Sequence, residues 1–354
     1  MSLKSLITRL KGDVESVGID IGHHSIKVVR CSHSRDSYTL THLHTEELPE
    51  GVFSEGEIRK TDVLAQKINE ALEAVGSREV DAQIYASINR SWGVLIDRHK
   101  MPAFKSSEEE RRIYEEAENH PPFDEKEITI DYSIIKRDES QIDVLLSAVK
   151  NPYLERLAGV FSENNWNLMA FDIGCFALYN AYILQAGETA EKEASIIFDV
   201  GESTAQVIFV IDGIFDSVRG IDSCSIQKQV SNISRLRNFS MEHSKKLLLG
   251  DEDLVKQYPE FRVTQLNEMT KNLQQAIQRF QGENRGSIFK KVYVSGAAAN
   301  SIIGLREHLK LSLGIDDVNS LELIKLLPGA EYLEFSDVDA SAYNVAVGLA
   351  TRKD

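Results

Sequence analysis

Val17-Gly-Ile-Asp-Ile-Gly-His-His-Ser-Ile-Lys-Val-Val29 reads as an apolar strand, a tight polar turn and a second apolar strand. The design recurs 179 residues on, in Ile196-Ile-Phe-Asp-Val-Gly-Glu-Ser-Thr-Ala-Gln-Val-Ile-Phe209. Asp20 matches Asp199, Gly22 matches Gly201 and Ser25 matches Thr204, with no gap. Each copy runs on into strand-like sequence, Tyr38 to Leu48 in the first and Gly213 to Val218 in the second. A helical segment follows each. Asp62 to Val75 carries Leu64, Ile68, Ala71, Leu72 and Val75 on one face, with Gly76 as C-cap, and Ser225 to Leu236 is its counterpart. Two related starts in one chain predict a duplicated α/β fold with a cleft between the halves.

Such turns suit a specific chemistry. Glycine lets backbone approach a phosphate closely, and successive turn N–H groups form an anion-binding nest. Around Gly22 and Gly201, the first turn offers His23, His24, Ser25 and Lys27, and the second Glu202, Ser203 and Thr204. Asp20 and Asp199, at strand ends facing each other, are placed to hold a hydrated Mg²⁺. A third element, Lys291-Val-Tyr-Val-Ser-Gly-Ala-Ala-Ala-Asn300 followed by Ser301 to Lys310, reads as strand, small-residue turn and helix. Small residues there admit either a flat ring or tightly packed backbone.

Composition narrows the function classes. The 354 residues suggest two domains or one two-lobed one. The 42% hydrophobic and 27% charged residues are ordinary for a globular chain. A net charge of −15 without a compensating basic block argues against nucleic acid as a partner. Cys31, Cys175 and Cys224 are few and widely spaced, which points to a reducing, cytosolic compartment and away from structural zinc. No stretch is long and apolar enough to span a bilayer. In Ser2 to Lys11, Leu3, Leu6, Ile7 and Leu10 share a helix face, with Lys4, Arg9 and Lys11 elsewhere. That segment is either a membrane-surface helix or a cap on its own domain.

These motifs resemble the actin-like ATPase superfamily. Asp20-x-Gly22 looks like its first phosphate motif, Asp199-x-Gly201 like its second, and Ser295 to Asn300 like its adenosine motif. The closer resemblance is to the PilM family of type IV pilus assembly, with FtsA-like proteins as relatives. It rests on Gly18-Ile-Asp-Ile-Gly22 with Ser25-Ile-Lys27, Glu116-Ala-Glu-Asn-His-Pro-Pro-Phe-Asp124, Val144-Leu-Leu-Ser-Ala-Val149, Phe171-Asp-Ile-Gly-Cys-Phe-Ala-Leu178, Phe198-Asp-Val-Gly201 and Tyr343-Asn-Val-Ala-Val-Gly-Leu-Ala350. It covers essentially the whole chain.

The resemblance implies a two-lobed actin-like fold. Lobe 1 would span 16–194 plus 335–354, with a relocated FtsA-like subdomain at about 81–165. Lobe 2 would span 195–334, with a small subdomain at about 237–287, and residues 1–15 form a terminal segment. It implies ATP and Mg²⁺, held by the turn residues above and by Gly296, Ala297, Ala298 and Asn300. It also implies a cytoplasmic adaptor, peripheral on the inner membrane, that captures the cytosolic N-terminal peptide of a PilN-like membrane protein and meets other pilus platform and motor proteins, with self-association open. Between Glu108 and Glu127 nine acidic residues face three basic ones, and the run reads as a solvated helix.

Departures from the family pattern imply a weakened nucleotide site. His23 and His24 stand where small serines are usual, adding bulk and a titratable charge. Only Gly296 remains of a glycine run, and a methyl at Ala297 or Ala298 disfavours positive φ. In Phe239 to Leu248, Lys245 and Leu248 take the places of a Glu and a Lys beside the nucleoside. No catalytic residue is expected. Asp131 and Asp172 have no distinguishing context, and His42 and His44 share a strand face without a third ligand. Two alternatives remain open: an ATPase or small-molecule kinase using the same cleft, and an FtsA-like polymerising scaffold.

Overall fold

The computed structural model describes residues 14–34, 37–54, 56–78, 81–105, 107–119, 127–187, 190, 193–284, 286–335 and 340–352. The amphipathic segment 2–11 and the Pro121-Pro122-Phe123 motif lie outside these.

Strand β1 (Val14–Ile21) turns back antiparallel as β2 (Ser25–Ser34), which pairs with β3 (Ser37–Glu47). The hinge closes by one hydrogen bond, Gly22 N–H to the Ser25 carbonyl at 3.0 Å, and sets Asp20 opposite Lys27. A short hairpin, β4 (Phe53–Ser54) and β5 (Glu57–Ile58), leads to the helix Thr61–Ala74, which buries Leu64, Ile68, Ala71 and Leu72 as its spacing predicts. β6 (Gln83–Ile88) then lies parallel to β1.

Here the chain leaves the sheet. β7 (Val94–Pro102), the helix Glu109–Glu118, β8 (Ile128–Arg137) and β9 (Gln141–Lys150) form a separate three-stranded sheet in the order β7-β9-β8. The acidic helix buries only Ile113 and Ala117, which fits its sequence. The inserted unit is therefore narrower than 81–165: β6 belongs to the main sheet, and the helix Asn151–Glu163 buries Tyr153, Leu157, Val160 and Phe161 in the main core. The chain returns as β10 (Leu168–Ile173), completing the order β10-β6-β1-β2-β3.

The second half repeats this plan. β11 (Ala194–Val200), β12 (Ala205–Ile211) and β13 (Ile214–Gly220) form an antiparallel meander. β14 (Phe289–Ser295) and β15 (Asp317–Ser320) add in parallel, giving β13-β12-β11-β14-β15. Strand for strand this is the first sheet again. Helices Ile226–Arg237, Met241–Leu249 and Pro259–Glu283 cover it, and Leu247, Leu248, Leu273 and Phe280 are fully buried among them.

Two apolar helices join the halves. Gly174–Ala186 packs Cys175, Leu178 and Tyr182 against Ile197, Ile208 and Tyr293 of the second sheet, while its Ala181 faces Val29 and Ala346. Asn344–Ala350 lies between it and the first sheet, and contact is close enough to require glycine. A Cβ on Gly18 would lie 2.0 Å from the Ala346 carbonyl oxygen, and one on Gly348 1.9 Å from that of Ala177.

Candidate functional site

Both Asp-x-Gly turns and the turn after β14 open into one cavity of about 620 Å³ between the lobes. Each turn presents its aspartate by the same device. On the first, Ser87 at the end of β6 donates to Asp20 Oδ1 at 3.0 Å and accepts the Ile21 N–H at 2.9 Å. On the second, Ser295 at the end of β14 lies in register beside Asp199 and accepts from Asn344 Nδ2 at 3.0 Å. Gln206, opposite Asp199 across β11 and β12, donates to Asp199 Oδ2 at 3.0 Å.

The pair shares a buried, electrostatically coupled setting. Burial raises both carboxyls, with Lys27 and Ser87 pulling Asp20 back down. Asp199 is pushed up to about 6, first by burial and then by the negative charge of Asp20, against the opposing bond from Gln206. No cluster of three His, Cys, Asp or Glu side chains exists among the described residues. A Mg²⁺ here would rest on two carboxylates, waters and phosphate oxygens, its usual company in phosphate sites.

The backbone is shaped for close approach. Gly201 N–H closes the second turn on the Thr204 carbonyl at 2.9 Å. Gly296 has φ +82°, and a Cβ there would lie 2.5 Å from the Val200 carbonyl oxygen and 2.8 Å from Asp199 Oδ1. The strain expected from the lost glycine run does not arise: Ala297 sits at φ −60°, ψ −28°, and Ala298 begins a short helix, Ala298–Ser301. The one position that needs positive φ has kept its glycine.

Of the fifteen residues the sequence proposed for nucleotide, thirteen line the cavity. Ala298 and Asn300 do not. Ala298 is fully buried in the second core, and Asn300 is held by Ser320 at 2.8 Å and by Glu322. Leu248 also faces the core, so cavity contacts beside the turn after β14 come from Leu249 and from Lys245, which pairs with Glu202 at 2.9 Å. The polar character expected to be lost there is supplied by Lys245.

His23 also differs from expectation. Its ring lies against Phe53 and Trp92, at centroid distances of 5.8 and 5.3 Å, and its Nε2 accepts the Trp92 indole N–H at 3.2 Å. Burial, then His24, lowers its pKa, so the ring is neutral at neutral pH and puts no charge on the turn. His24 is exposed. His44 pairs with Glu46 at 3.1 Å.

Sequence reasoning missed Ser87, Gln206 and Arg90, all on the cavity wall. Gln206 was visible as the repeat partner of Lys27. Ser87 was hidden as the counterpart of Ser295 because the spacing from β1 to β6 differs from that between β11 and β14, so only sheet register equates them.

The residues present fit a Mg-nucleotide: a glycine cradle, two Asp-x-Gly turns and a pair of buried aspartates share one cavity. When bound, the group would supply a charge that the two aspartates neutralise and a body spanning both lobes. This chain's own part would be to orient the phosphates on the Gly22 and Gly201 turns and to hold the metal side with Asp20 and Asp199.

Solved structures share this architecture. The chain is similar to a structure of the PilM-PilN type IV pilus biogenesis complex, with 19% identity over 95% of this chain and 98% of that one, and a TM-score of 0.80. It is similar to the ethanolamine utilization protein EutJ from Carboxydothermus hydrogenoformans (13% identity, 95% and 89% covered, TM-score 0.55). A third is MreB 5 of Spiroplasma citri bound to AMPPNP (11% identity, 95% and 94% covered, TM-score 0.51). These place the chain in the actin-like ATPase fold. The family model for type IV pilus assembly protein PilM matches residues 18–354, from the middle of β1 to the last residue. With both Asp-x-Gly turns, the inserted three-stranded sheet and the closing helix all inside that match, the chain belongs to the PilM family of type IV pilus assembly proteins.

Proposed function

We propose that this chain is a cytoplasmic adaptor of the type IV pilus inner-membrane platform. It captures the cytosolic N-terminal peptide of a PilN-like membrane protein and takes Mg-ATP in its cleft as a conformational ligand. Arg98 carries the reading. From β7 of the inserted sheet it forks onto Asp143 of β9 (Nε to Oδ1 2.9 Å, Nη2 to Oδ2 2.7 Å) and reaches Asp216 of β13 in the opposite lobe (2.5 Å). The inserted sheet, which grows out of the first half through β6 and the helix Asn151–Glu163, is thus also bonded to the second half. In this reading an extended peptide joins by main-chain hydrogen bonds where the inserted sheet meets the first core.

The lobe division at 16–194 plus 335–354 and 195–334, with a small subdomain at 237–287, is part of this reading. So is peripheral membrane contact through residues 2–11 or through the partner. No helix among the described residues is long and apolar enough to cross a membrane.

A peptide with the partner's N-terminal sequence is expected to slow amide exchange in β7–β9 and the adjoining core; protection confined to 195–334 defeats the assignment. Mg-ATP titration, followed by binding and phosphate release together, is expected to give binding without steady turnover, lost in Asp20→Ala plus Asp199→Ala. Turnover abolished by that pair would favour an enzyme. One observation supports this second reading: Gln206 Oε1 is buried without a hydrogen-bond partner among the described residues, where it could orient a water.

A further inference from the structure

Arg90 follows β6 directly, at the point where the chain leaves the first sheet for the inserted one. Its turn is firmly built: Asn89 Oδ1 accepts the Ser91 N–H at 3.0 Å and the Ser91 hydroxyl at 2.9 Å, and the Asn89 carbonyl accepts the Trp92 N–H at 3.0 Å. From there the side chain crosses the cleft. A Cβ on Gly220, at the end of β13, would lie 2.1 Å from Arg90 Nη2, so the end of the guanidinium sits against opposite-lobe backbone in space that a side chain at 220 would fill.

What the guanidinium lacks is an acceptor. It has five N–H donors, yet makes no hydrogen bond to the described residues, and its Nε is buried without a partner. The nearest carboxylate is Asp222 Oδ1 at 4.0 Å, too long for a hydrogen bond, and that oxygen already accepts the Ala205 N–H at 3.0 Å. Leaving such donors unpaired in a part-buried site is costly unless a ligand completes them. Arg90 lines the same cavity as the two phosphate turns, and its neighbours Gly220 and Asp222 adjoin Ala205, the residue after the second turn. The adenosine end, at Lys245, Leu249 and Gly296, contributes none of its contacts.

We propose that Arg90 is the group that grips the terminal phosphate of a nucleoside triphosphate and so clamps lobe 1 to lobe 2. A planar fork matches two phosphate oxygens, which an ammonium cannot do. The clamp makes the cleft discriminate triphosphate from diphosphate. Because Arg90 is two residues from Trp92, which holds His23 on the first turn, it also carries occupancy to the root of the inserted sheet. The inference rests on the nucleotide reading of the cleft.

The test is calorimetric titration of the full chain with Mg-ATP, Mg-ADP and Mg-pyrophosphate, using wild type, Arg90→Gln and Arg90→Lys. Thermal melts establish that the variants fold. Amide exchange of residues 89–102 is followed with and without ATP. Wild type is expected to prefer ATP to ADP, and Arg90→Gln to lose about 10- to 100-fold in ATP affinity with little change for ADP, the size of one charge-assisted bidentate contact. Arg90→Lys is expected to recover only part of the preference, and ATP to protect residues 89–102 in wild type alone. If wild type and Arg90→Gln bind ATP equally, the clamp is wrong while the nucleotide reading stands. If wild type binds none of the three ligands, both fall. Pyrophosphate binding as tight as ATP would overturn the nucleoside part.

Discussion

The two lobes answer the same topological plan with different chemistry. Both present an aspartate beside a serine from the neighbouring parallel strand, Asp20 with Ser87 and Asp199 with Ser295. Opposite the first stands Lys27, opposite the second Gln206. The first turn continues with a neutral His23 locked under Trp92, the second with Glu202 bound to Lys245. The sheet faces differ too: Gly18 of β1 admits a helix at backbone contact, whereas its repeat counterpart on β11 is Ile197, fully buried against the helix Gly174–Ala186. A duplicated backbone supplies a symmetric cleft, and side chains then set Lys27 beside one aspartate and Gln206 beside the other. A ligand with a charged end fits such a cleft in one direction only.

The largest break in this comparison is expected at Gly18→Ala. The added methyl meets the Ala346 carbonyl at 2.0 Å and must displace the helix Asn344–Ala350, costing about 3 kcal/mol. Denaturant unfolding checks it, and an unchanged midpoint would mean that the helix yields easily.

A smaller effect should appear at Asp199. Its folded-state pKa is raised from 3.8 to about 6, so the folded protein holds that proton more tightly than the unfolded chain. Its contribution is therefore fully present below about pH 3.8 and lost as pH rises through 6. Asp199→Asn is expected to flatten the stability profile between those values and to raise the metal-free thermal midpoint at pH 7. Mg²⁺ affinity of the wild type should climb over the same interval, as the carboxyl ionises.

Trp92→Phe removes one donor from His23 and is expected to cost about 1 kcal/mol. It should also raise the His23 pKa, since the lost bond favoured the neutral ring; NMR titration reads both the shift and its direction. The smallest expected effect is the most diagnostic. Lys27→Gln gives the first lobe the second lobe's partner, and the Asp20 carboxyl should move up, because Lys27 is the charge that opposes its burial. No movement of the Asp20 signal would mean that burial alone controls that wall.

Much of this was legible in the chain. The 179-residue echo, with Asp, Gly and hydroxyl in step, announces two lobes, because strand alternation and turn chemistry are local. The resemblance supplied the inserted sheet, although its limits were drawn too wide: β6 and the helix Asn151–Glu163 read the same in sequence whether they join one sheet or another. Ala297 shows the opposite case. A methyl in a former glycine run looks like damage until the backbone angle is known, and that angle is right-handed.

The sequence by itself determined the doubled α/β plan, the two acidic turns and the amphipathic helix that follows the first of them. Each depends on residues a few positions apart, whose periodicity and φ preferences act wherever the segment lies. Only the tertiary structure decided that Ser87 serves Asp20, that Leu248 faces the core while Lys245 faces the cleft, and that Arg90 crosses to Gly220. Those facts depend on sheet register and on how two lobes close over one cavity. Contacts between residues 67 or 130 positions apart leave no periodic trace in the chain.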